Sequence, residues 1–481
     1  MTMESVDCEQ YMLVDLEEVG VLDLCWLLIC EHKGFIKSND DKGFDGRFSR
    51  RFIIFISIVI IKVLKLFSKT LERLGTLVES SLNLWRQYDS FSMLVFNTLR
   101  GKNVELSRTS PNYVSVAGLT DTRLDLDDQI LRDDPRYKSA LAIMAAKTAY
   151  ENKYRVQKIV QDHWKMDFIG FYDYSIEKRK TTQAFIFSDR SGDHELIYVS
   201  FRGTEIFSAY DWCTDIDFSW YHLSGIGNVH AGFLKALGLQ KNKKGYPSWP
   251  KELEEDKPYT DDEIFAYYEI RKVLRKKLKK NKDARFIVTG HSLGGALAVL
   301  FPAILRFHKE AELLEKLEGV YTFGQPRVGD ERFCKHMEEL LGARRYFRFV
   351  YANDIVPRIP FSDSTFQFKH FGNCYYFDSF YKGKVMKEEP DNNYFSIPSI
   401  PFKYLNAVFE LARSFILPYA YGRDYKEGIL LLGFRWFGML TIPGFSAHCP
   451  QDYVNLTRLA SPETFGALQD DSYFDEMSST Y

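Results

Sequence analysis

The sequence predicts an α/β fold in which helices cover both faces of a mostly parallel sheet. From about residue 135 onward, short runs of β-branched and aromatic residues alternate with longer segments whose apolar residues recur at helical spacing. One of these runs leads directly into the pentapeptide GHSLG at residues 290–294, and a helix rich in small residues follows it. Because neighbouring parallel strands need a crossover connection, strands that alternate with helices favour a parallel sheet.

The elements of this domain can be assigned in order along the chain. Helices are predicted at residues 139–164, which are rich in alanine, and at residues 262–280, whose basic end complements the helix dipole. Strands are predicted where aromatic and β-branched residues stand together between glycine and aspartate, at residues 184–189, 195–203, 285–289, 319–323 and 346–351.

The composition excludes several classes of protein. The chain has 481 residues, and its 45% of hydrophobic residues can fill a large core, which excludes global disorder. A net charge of −2 excludes a basic protein that binds nucleic acid through bulk electrostatics. The seven cysteines are scattered without a CxxC motif, so we expect a reducing compartment, no disulfide framework and no metal site.

The N-terminal part of the chain carries an apolar arm. Residues 1–45 are mixed in character and have no motif that assigns them a role, and their acidic start excludes a secretory signal peptide. Nine of the ten residues at 52–61 are apolar, but the apolar stretch 52–67 is shorter than the roughly 20 residues that span a bilayer.

Basic residues give this arm a polar stripe. In a continuous helix Lys62, Lys65, Lys69 and Arg73 lie on one side, which is typical of a helix at a lipid interface. We therefore predict that residues 46–100 form an apolar, amphipathic helical arm that associates with lipid. The alternatives are core helices of an N-terminal subdomain and a single membrane span.

The remaining boundaries follow from changes in composition. Residues 101–134 are polar and predict a linker, residues 135–460 form the α/β domain, and residues 461–481 predict an acidic, mobile tail. Two further aromatic, apolar stretches lie in an insertion at about residues 380–445. These stretches are equally consistent with added core helices and with a lipid-contacting role.

The pentapeptide predicts a nucleophilic serine. A strand that runs into G-x-S-x-G and a helix that leaves it place the serine on a sharp, strained turn beyond the carboxyl edge of the sheet. Gly290 and Gly294 remove side chains where strand and helix approach, and the helix N-terminus behind Ser292 favours developing negative charge.

A serine hydroxyl needs a histidine that takes its proton and a carboxylate that orients the histidine. After such an elbow the acid comes first along the chain and the histidine follows. Asp354 stands at the end of the strand 346–351 and is the first choice for the acid, with Asp330 as the alternative. Chain order leaves His370 and His448 as the candidates for the base.

Six motifs occur together in a recognisable order. They are YVSFRGT, VHAGF, TGHSLGGALA, TFGQPRVGD, YANDIVPRIP and the late His448, with Asp452 and Tyr453 behind it. In these motifs the chain resembles the class 3, fungal-type triacylglycerol lipases over about residues 135–460. The apolar arm and the long interval before His448 resemble the plant oil-body lipases in particular.

The resemblance implies an α/β-hydrolase fold with a lid and an N-terminal apolar extension. It implies a triad of Ser292, Asp354 and His448, and it favours His448 over His370 as the base. It also implies further site residues: Thr204 and the backbone N–H of Leu293 in the oxyanion hole, His291 with the two glycines in the elbow, and Phe207, Tyr210 and Trp212 in a lid at about residues 205–218.

The function that follows is hydrolysis of triacylglycerol, and of di- and monoacylglycerol, through an acyl-enzyme and without a cofactor. We expect the enzyme on the cytosolic side of a lipid droplet or of the endoplasmic reticulum membrane, with lipid and no nucleic acid as its partner. The alternatives are a phospholipase A1 or galactolipase that acts on membrane lipids, and a droplet coat or scaffold protein with a vestigial hydrolase fold.

Overall fold

An eight-stranded sheet forms the centre of the computed structural model, which describes residues 11–14, 19–29, 36–38, 48–88, 91–101, 106–176, 179–208, 212, 216, 219–239, 266–360, 368–392, 394 and 396–466. Its strands are β3 (Asp167–Ile176), β4 (Arg179–Asp189), β5 (Leu196–Phe201), β8 (Arg285–His291), β9 (Leu317–Phe323), β10 (Tyr346–Tyr351), β11 (Cys374–Phe377) and β12 (Gly383–Met386). A second sheet of four strands contains β1 (Tyr11–Val14), β2 (Ile36–Ser38), β6 (Trp220–Leu223) and β7 (Gly227–His230).

The strand order in the large sheet is β12-β11-β10-β9-β8-β5-β4-β3. The middle strands β5, β8, β9, β10 and β11 are parallel, and the strands that flank them pair antiparallel. The predicted mostly parallel sheet is thus confirmed. The hairpin partner β3 at its edge was not predicted, because its mixed polar and aromatic residues follow no simple alternation.

Helices surround this sheet and extend from it. They are α1 (Val21–Ile29), α2 (Phe48–Trp85), α3 (Phe91–Leu99), α4 (Val116–Thr120), α5 (Tyr137–Thr148), α6 (Lys153–Lys158), α7 (Ala231–Ala236), α8 (Ala266–Lys280), α9 (Leu293–Phe307), α10 (Ala311–Glu315), α11 (Glu331–Leu341), α12 (Ile400–Tyr421), α13 (Ile429–Leu440), α14 (Pro450–Leu459) and α15 (Pro462–Gly466). The helix predicted at 139–164 is divided, because the Asn152 side chain caps a new helix by accepting the N–H groups of Tyr154 and Arg155.

Two hydrophobic layers cover the sheet. Phe286 and Val288 of β8 face a cluster that includes α8, α9 and α11, and Ile287 between them faces the cluster that includes α5 and α14. Successive side chains of a strand point to opposite faces, so a strand buried on both faces is apolar throughout. This arrangement accounts for the unbroken apolar run that precedes the pentapeptide.

The predicted linker, residues 101–134, is packed onto the domain. Its Ile130 is buried, and its buried Asp121 binds the Arg123 guanidinium at 2.7 Å and lies 3.5 Å from the ammonium of Lys147. One aspartate of the polar stretch that predicted a linker is therefore ion-paired inside the protein. The predicted tail also begins later than residue 461, because residues 462–466 form α15.

Two helices, α2 and α3, lie in the predicted N-terminal arm, and α2 is the longer with 38 residues. Ile54 and Ile58 on one side are buried in a small cluster with Leu24 and Leu27 of α1. The other side leaves large apolar residues exposed, among them Leu66 at 76%. None of the described helices has both the length and the hydrophobicity to cross a membrane.

Candidate active site

Ser292 lies between β8 and α9 with backbone angles of φ 60° and ψ −132°. This region of conformational space is strained for a residue with a side chain, and such strain is found at functional turns. A Cβ atom on Gly290 would lie 2.1 Å from the carbonyl carbon of Gly294, and one on Gly294 would lie 2.3 Å from the carbonyl oxygen of Phe201. The close approach of strand and helix thus requires glycine at both positions.

Asp354 and His448 form a hydrogen-bonded pair. Asp354 follows β10, and His448 ends the short 3₁₀ turn Ser446–His448 before α14. The Nδ1 atom of His448 lies 2.8 Å from Oδ2 of Asp354, which is completely buried. A charge-assisted hydrogen bond of this kind fixes both the orientation and the tautomer of an imidazole.

Two further donors hold the carboxylate. The hydroxyl of Tyr453 donates to Asp354 Oδ2 at 2.5 Å, and the backbone N–H of Val356 donates to Oδ1 at 2.9 Å. Both oxygens of the buried Asp354 are therefore satisfied, and its side chain cannot turn without breaking one of these bonds.

The second ring nitrogen of His448 is available for chemistry. No hydrogen-bond partner for Nε2 is found in the part of the chain that the structure describes. Because Nδ1 is engaged by Asp354, Nε2 is the atom that can accept a proton. His448 and Ser292 line the same cavity.

His291 supports His448 from inside the protein. Its ring stacks on the ring of His448 with 4.5 Å between centroids, and its Nε2 donates to the His448 carbonyl oxygen at 2.8 Å. Its Nδ1 lies 3.0 Å from the hydroxyl of Tyr150 and accepts from it. Burial, with the neighbouring His448, lowers the pKa of His291 well below its usual value, so that its ring stays neutral.

The contact of Tyr150 with His291 was not predicted from the sequence. Tyr150 ends an alanine-rich helical segment, and no motif distinguishes it from the other tyrosines. Only the approach of α5 to the elbow brings its hydroxyl to His291.

Thr204 and Leu293 are the residues predicted for the oxyanion hole. Thr204 lies just beyond β5 and lines the cavity together with the serine. Leu293 is the first residue of α9, where the backbone N–H groups have no acceptor within the helix. A helix N-terminus next to the serine suits a negatively charged oxygen.

The cavity has a volume of about 40 Å³ and is lined mostly by apolar side chains. Besides the polar residues already described, its walls include Ala117, Ile206, Trp212, Ile355, Val356 and Phe445. A few convergent polar groups within an apolar wall are typical of a site that binds an apolar substrate.

The lid region is only partly described, and Tyr210 lies outside the described residues. Trp212 lines the cavity, and its indole N–H donates to the carbonyl oxygen of Ile206 at 3.0 Å. Phe207 contacts the arm, because a Cβ atom on Gly75 of α2 would lie 2.6 Å from it. Both Phe207 and Trp212 are half-buried.

The alternative acid and base lie elsewhere. Asp330 caps α11 by accepting the N–H of Phe333 at 2.9 Å. Nε2 of the buried His370 lies 2.6 Å from the Pro357 carbonyl oxygen. Neither residue lines the cavity of Ser292. No group of three potential metal ligands occurs within the described ranges.

Residues 198–364 match the family model described as lipase (class 3). The chain is 39% identical over 504 residues to a triacylglycerol lipase OBL1 of Nicotiana tabacum, and the alignment covers 90% of this chain and 88% of the tobacco protein. With the triacylglycerol lipase OBL1 of Arabidopsis thaliana it is 40% identical over 442 residues, which cover 85% of each protein. Among solved structures, lipase II of Rhizopus niveus is 26% identical, with 50% of this chain and 80% of that chain covered and a TM-score of 0.36.

Proposed function

This chain belongs to the class 3 lipase family, and we propose that it hydrolyses the ester bonds of triacylglycerols, and of di- and monoacylglycerols, at the surface of a lipid droplet. The observation that carries the proposal is the cavity that Ser292 shares with His448, whose other ring nitrogen binds Asp354. The apolar lining of that cavity and the names of the tobacco and Arabidopsis relatives support an acylglycerol as the substrate.

In the proposed reaction, the Ser292 hydroxyl attacks the ester carbonyl and its proton passes to Nε2 of His448. The imidazolium that forms is stabilised by the Asp354 carboxylate, which Tyr453 and Val356 hold in place. His448 then gives the proton to the departing glycerol oxygen, and Ser292 retains the acyl group as an ester. A water molecule, deprotonated by His448, releases the fatty acid and restores the serine.

The tetrahedral intermediates carry a negative oxygen that needs donors. We assign these donors to Thr204 and to the backbone N–H of Leu293. Loss of one such donor typically lowers turnover about 10²–10³-fold.

The neutral ring of His291 has a positioning role in this scheme. It binds the backbone of His448 and lies flat against the imidazole without competing for the proton. A second cation next to the imidazolium would oppose proton transfer, and the burial of His291 prevents one.

The arm α2 and the droplet location belong to the same proposal. The exposed apolar side of α2, with its basic stripe, is suited to the boundary between headgroups and acyl chains. Its buried side holds it to the rest of the N-terminal region.

The direct test compares wild type with Ser292→Ala on emulsions of triolein, diolein and monoolein. We expect the substitution to lower the rate of fatty-acid release by about 10⁴-fold or more, because the nucleophile is lost. The exposed Ser107→Ala serves as a matched control and retains the wild-type rate.

Three outcomes contradict the proposal. Equal hydrolysis by Ser292→Ala would show that another group is the nucleophile. Wild-type activity confined to phospholipid or galactolipid vesicles would replace the acylglycerol with a membrane lipid. A wild type that is inactive on every one of these esters would favour a coat or scaffold role.

A further inference from the structure

We propose that the outer face of the helical hairpin α12–α13 is a docking surface for neutral lipid, and that it places the mouth of the Ser292 cavity against a droplet. The identity of the lipid rests on the proposed function. The docking face itself rests on three observations of the hairpin: where its charges lie, how it is held, and what it adjoins.

The distribution of charge in the hairpin is the reverse of that in a helix pair at a water-exposed surface. The two helices contain four acidic or basic side chains, and all four are buried: Lys403, Glu410, Arg413 and Arg435. The outer face instead exposes large apolar side chains, among them Phe402, Leu405, Ile416, Tyr419, Trp436 and Leu440. Surface helices normally turn their polar side to water, so this face indicates an apolar environment.

The buried charges hold the hairpin firmly to the domain. The Arg435 guanidinium binds the Glu427 carboxylate through two bonds of 2.6 Å and reaches Asp452 Oδ2 at 3.1 Å. Arg413 donates to Asp452 at 2.8 Å. Because these bonds lie beneath both helices, the apolar face is a stable surface of the folded protein. Asp452 belongs to α14, the helix that follows His448, so the hairpin keeps a fixed place relative to the site.

The apolar face continues into the catalytic cavity. The exposed Phe437 and its neighbour Phe434 each pack edge-on against Phe445, with ring centroids 5.6 Å away. Phe445 in turn lines the cavity that contains Ser292. Aromatic side chains therefore form a continuous line of contacts from the outer face to the wall of the cavity.

These features favour neutral lipid over other occupants. The exposed residues of the two helices carry no charge that could bind a phosphate headgroup, and the exposed charged residues of the connection, Arg423, Asp424 and Lys426, lie at one end of the hairpin. A droplet covered by a single phospholipid layer presents hydrocarbon and ester groups directly beneath its surface. That chemistry matches both the face and the cavity behind it.

The test uses a triple variant, Leu405→Glu, Ile416→Glu and Leu440→Glu, made in the Ser292→Ala protein so that binding is measured without hydrolysis. All three side chains are at least 60% exposed, so the new carboxylates stay in water when the protein is free. We expect partition onto triolein droplets coated with phosphatidylcholine, measured by flotation, to fall at least about tenfold. The same three positions changed to Met retain binding, and so does Leu131→Glu, a comparably exposed leucine outside the hairpin.

A second readout uses the triple variant with Ser292 intact. Its hydrolysis of triolein emulsions falls with binding, while its hydrolysis of p-nitrophenyl butyrate in solution and its melting temperature match those of the wild type. Unchanged partition onto droplets would overturn the docking face. The proposal would also fail if the triple substitution weakened binding to phosphatidylcholine bilayers without triolein as much as binding to droplets. It would fail too if light scattering showed that the wild type is a dimer and the variant a monomer.

The outcomes for docking and for catalysis are separable. Flotation that depends on the hairpin, in a protein that hydrolyses no acylglycerol, refutes the proposed function and keeps the docking face. If Ser292→Ala abolishes hydrolysis but the hairpin substitutions leave flotation unchanged, the proposed function stands and the docking face is refuted.

Discussion

Gly324 stands against the Asp354–His448 pair, and its replacement by alanine gives a sharp test of that pair. The residue follows β9 and has a φ of +60°. A Cβ atom there would lie 2.8 Å from Asp354 Oδ2 and 2.9 Å and 3.0 Å from Cε1 and Nδ1 of His448. One methyl group thus meets both partners of the hydrogen bond that orients the base.

The size of the effect follows from these distances. Ordinary contacts of a Cβ atom begin at 3.4 Å, so the carboxylate and the imidazole must move by at least about half an ångström. A misplacement of about 1 Å in a catalytic group can cost about 10²-fold in rate. We therefore expect Gly324→Ala to lower kcat about 10–100-fold, which corresponds to about 1.4–2.8 kcal/mol in the activation barrier.

The assay is hydrolysis of a soluble p-nitrophenyl ester, because it separates chemistry from lipid binding. Gly342→Ala is the matched control, since Gly342 has a φ of +61° and no atom within 4 Å of the position of a Cβ. Both variants lose about 1–2 kcal/mol of stability to a positive φ, but only Gly324→Ala disturbs the pair. A kcat for Gly324→Ala within twofold of the control would refute the assignment of Asp354 and His448 as acid and base.

Two further predictions concern the rest of the molecule. Burial alone would raise the pKa of the Glu389 carboxyl, but the Arg348 guanidinium 2.7 Å away holds that pKa well below its usual range. The ionised Glu389 therefore stabilises the fold above about pH 4.3, and this contribution is lost as the pH falls below that value. We expect Glu389→Gln to cost about 3–5 kcal/mol of stability at pH 7. The melting temperature of this variant should fall less steeply at acidic pH than that of the wild type. The exposed neighbour Glu388→Gln keeps the wild-type profile, and an unchanged acid limb in Glu389→Gln would contradict the ion pair. On the arm, we expect the double variant Leu66→Glu, Leu77→Glu to lower partition onto droplets at least about tenfold, because each leucine buried in lipid is worth about 1.5–3 kcal/mol. Hydrolysis of a soluble ester by this variant should equal that of the wild type. Flotation equal to that of the wild type would show that the arm does not bind lipid.

The elbow could be predicted from sequence because its constraints are local. A strand, two glycines and a helix of small residues are required within a few positions, and the strained Ser292 lies where that pattern puts it. Chain order then reduced the choice of acid and base to pairs of candidates. The structure separates the two candidate acids: Asp354 binds His448, whereas Asp330 caps a helix.

Other features could not be predicted because their partners are distant in sequence. Arg413 and Arg435 interrupt apolar segments and give no sign that both reach Asp452. Asp121 lies in a polar stretch that suggested a linker, although its carboxylate is buried against Arg123 and against Lys147 of α5. In both cases a charged residue that looks solvated along the chain has an ion-pair partner on another element.

The contact of Arg413 and Arg435 with Asp452 also governs how this hairpin can be exchanged between related proteins. Excising the hairpin would leave the fully buried Asp452 carboxylate without its two guanidinium partners, and an uncompensated buried charge costs about 3–5 kcal/mol. Grafting the hairpin onto a shorter relative would create the opposite defect, because Arg413 would lose its Asp452 partner, while Arg435 would keep Glu427 and Glu410. A chimera should therefore transfer α14 together with the hairpin, because the ion pairs join these elements across the segment that contains His448.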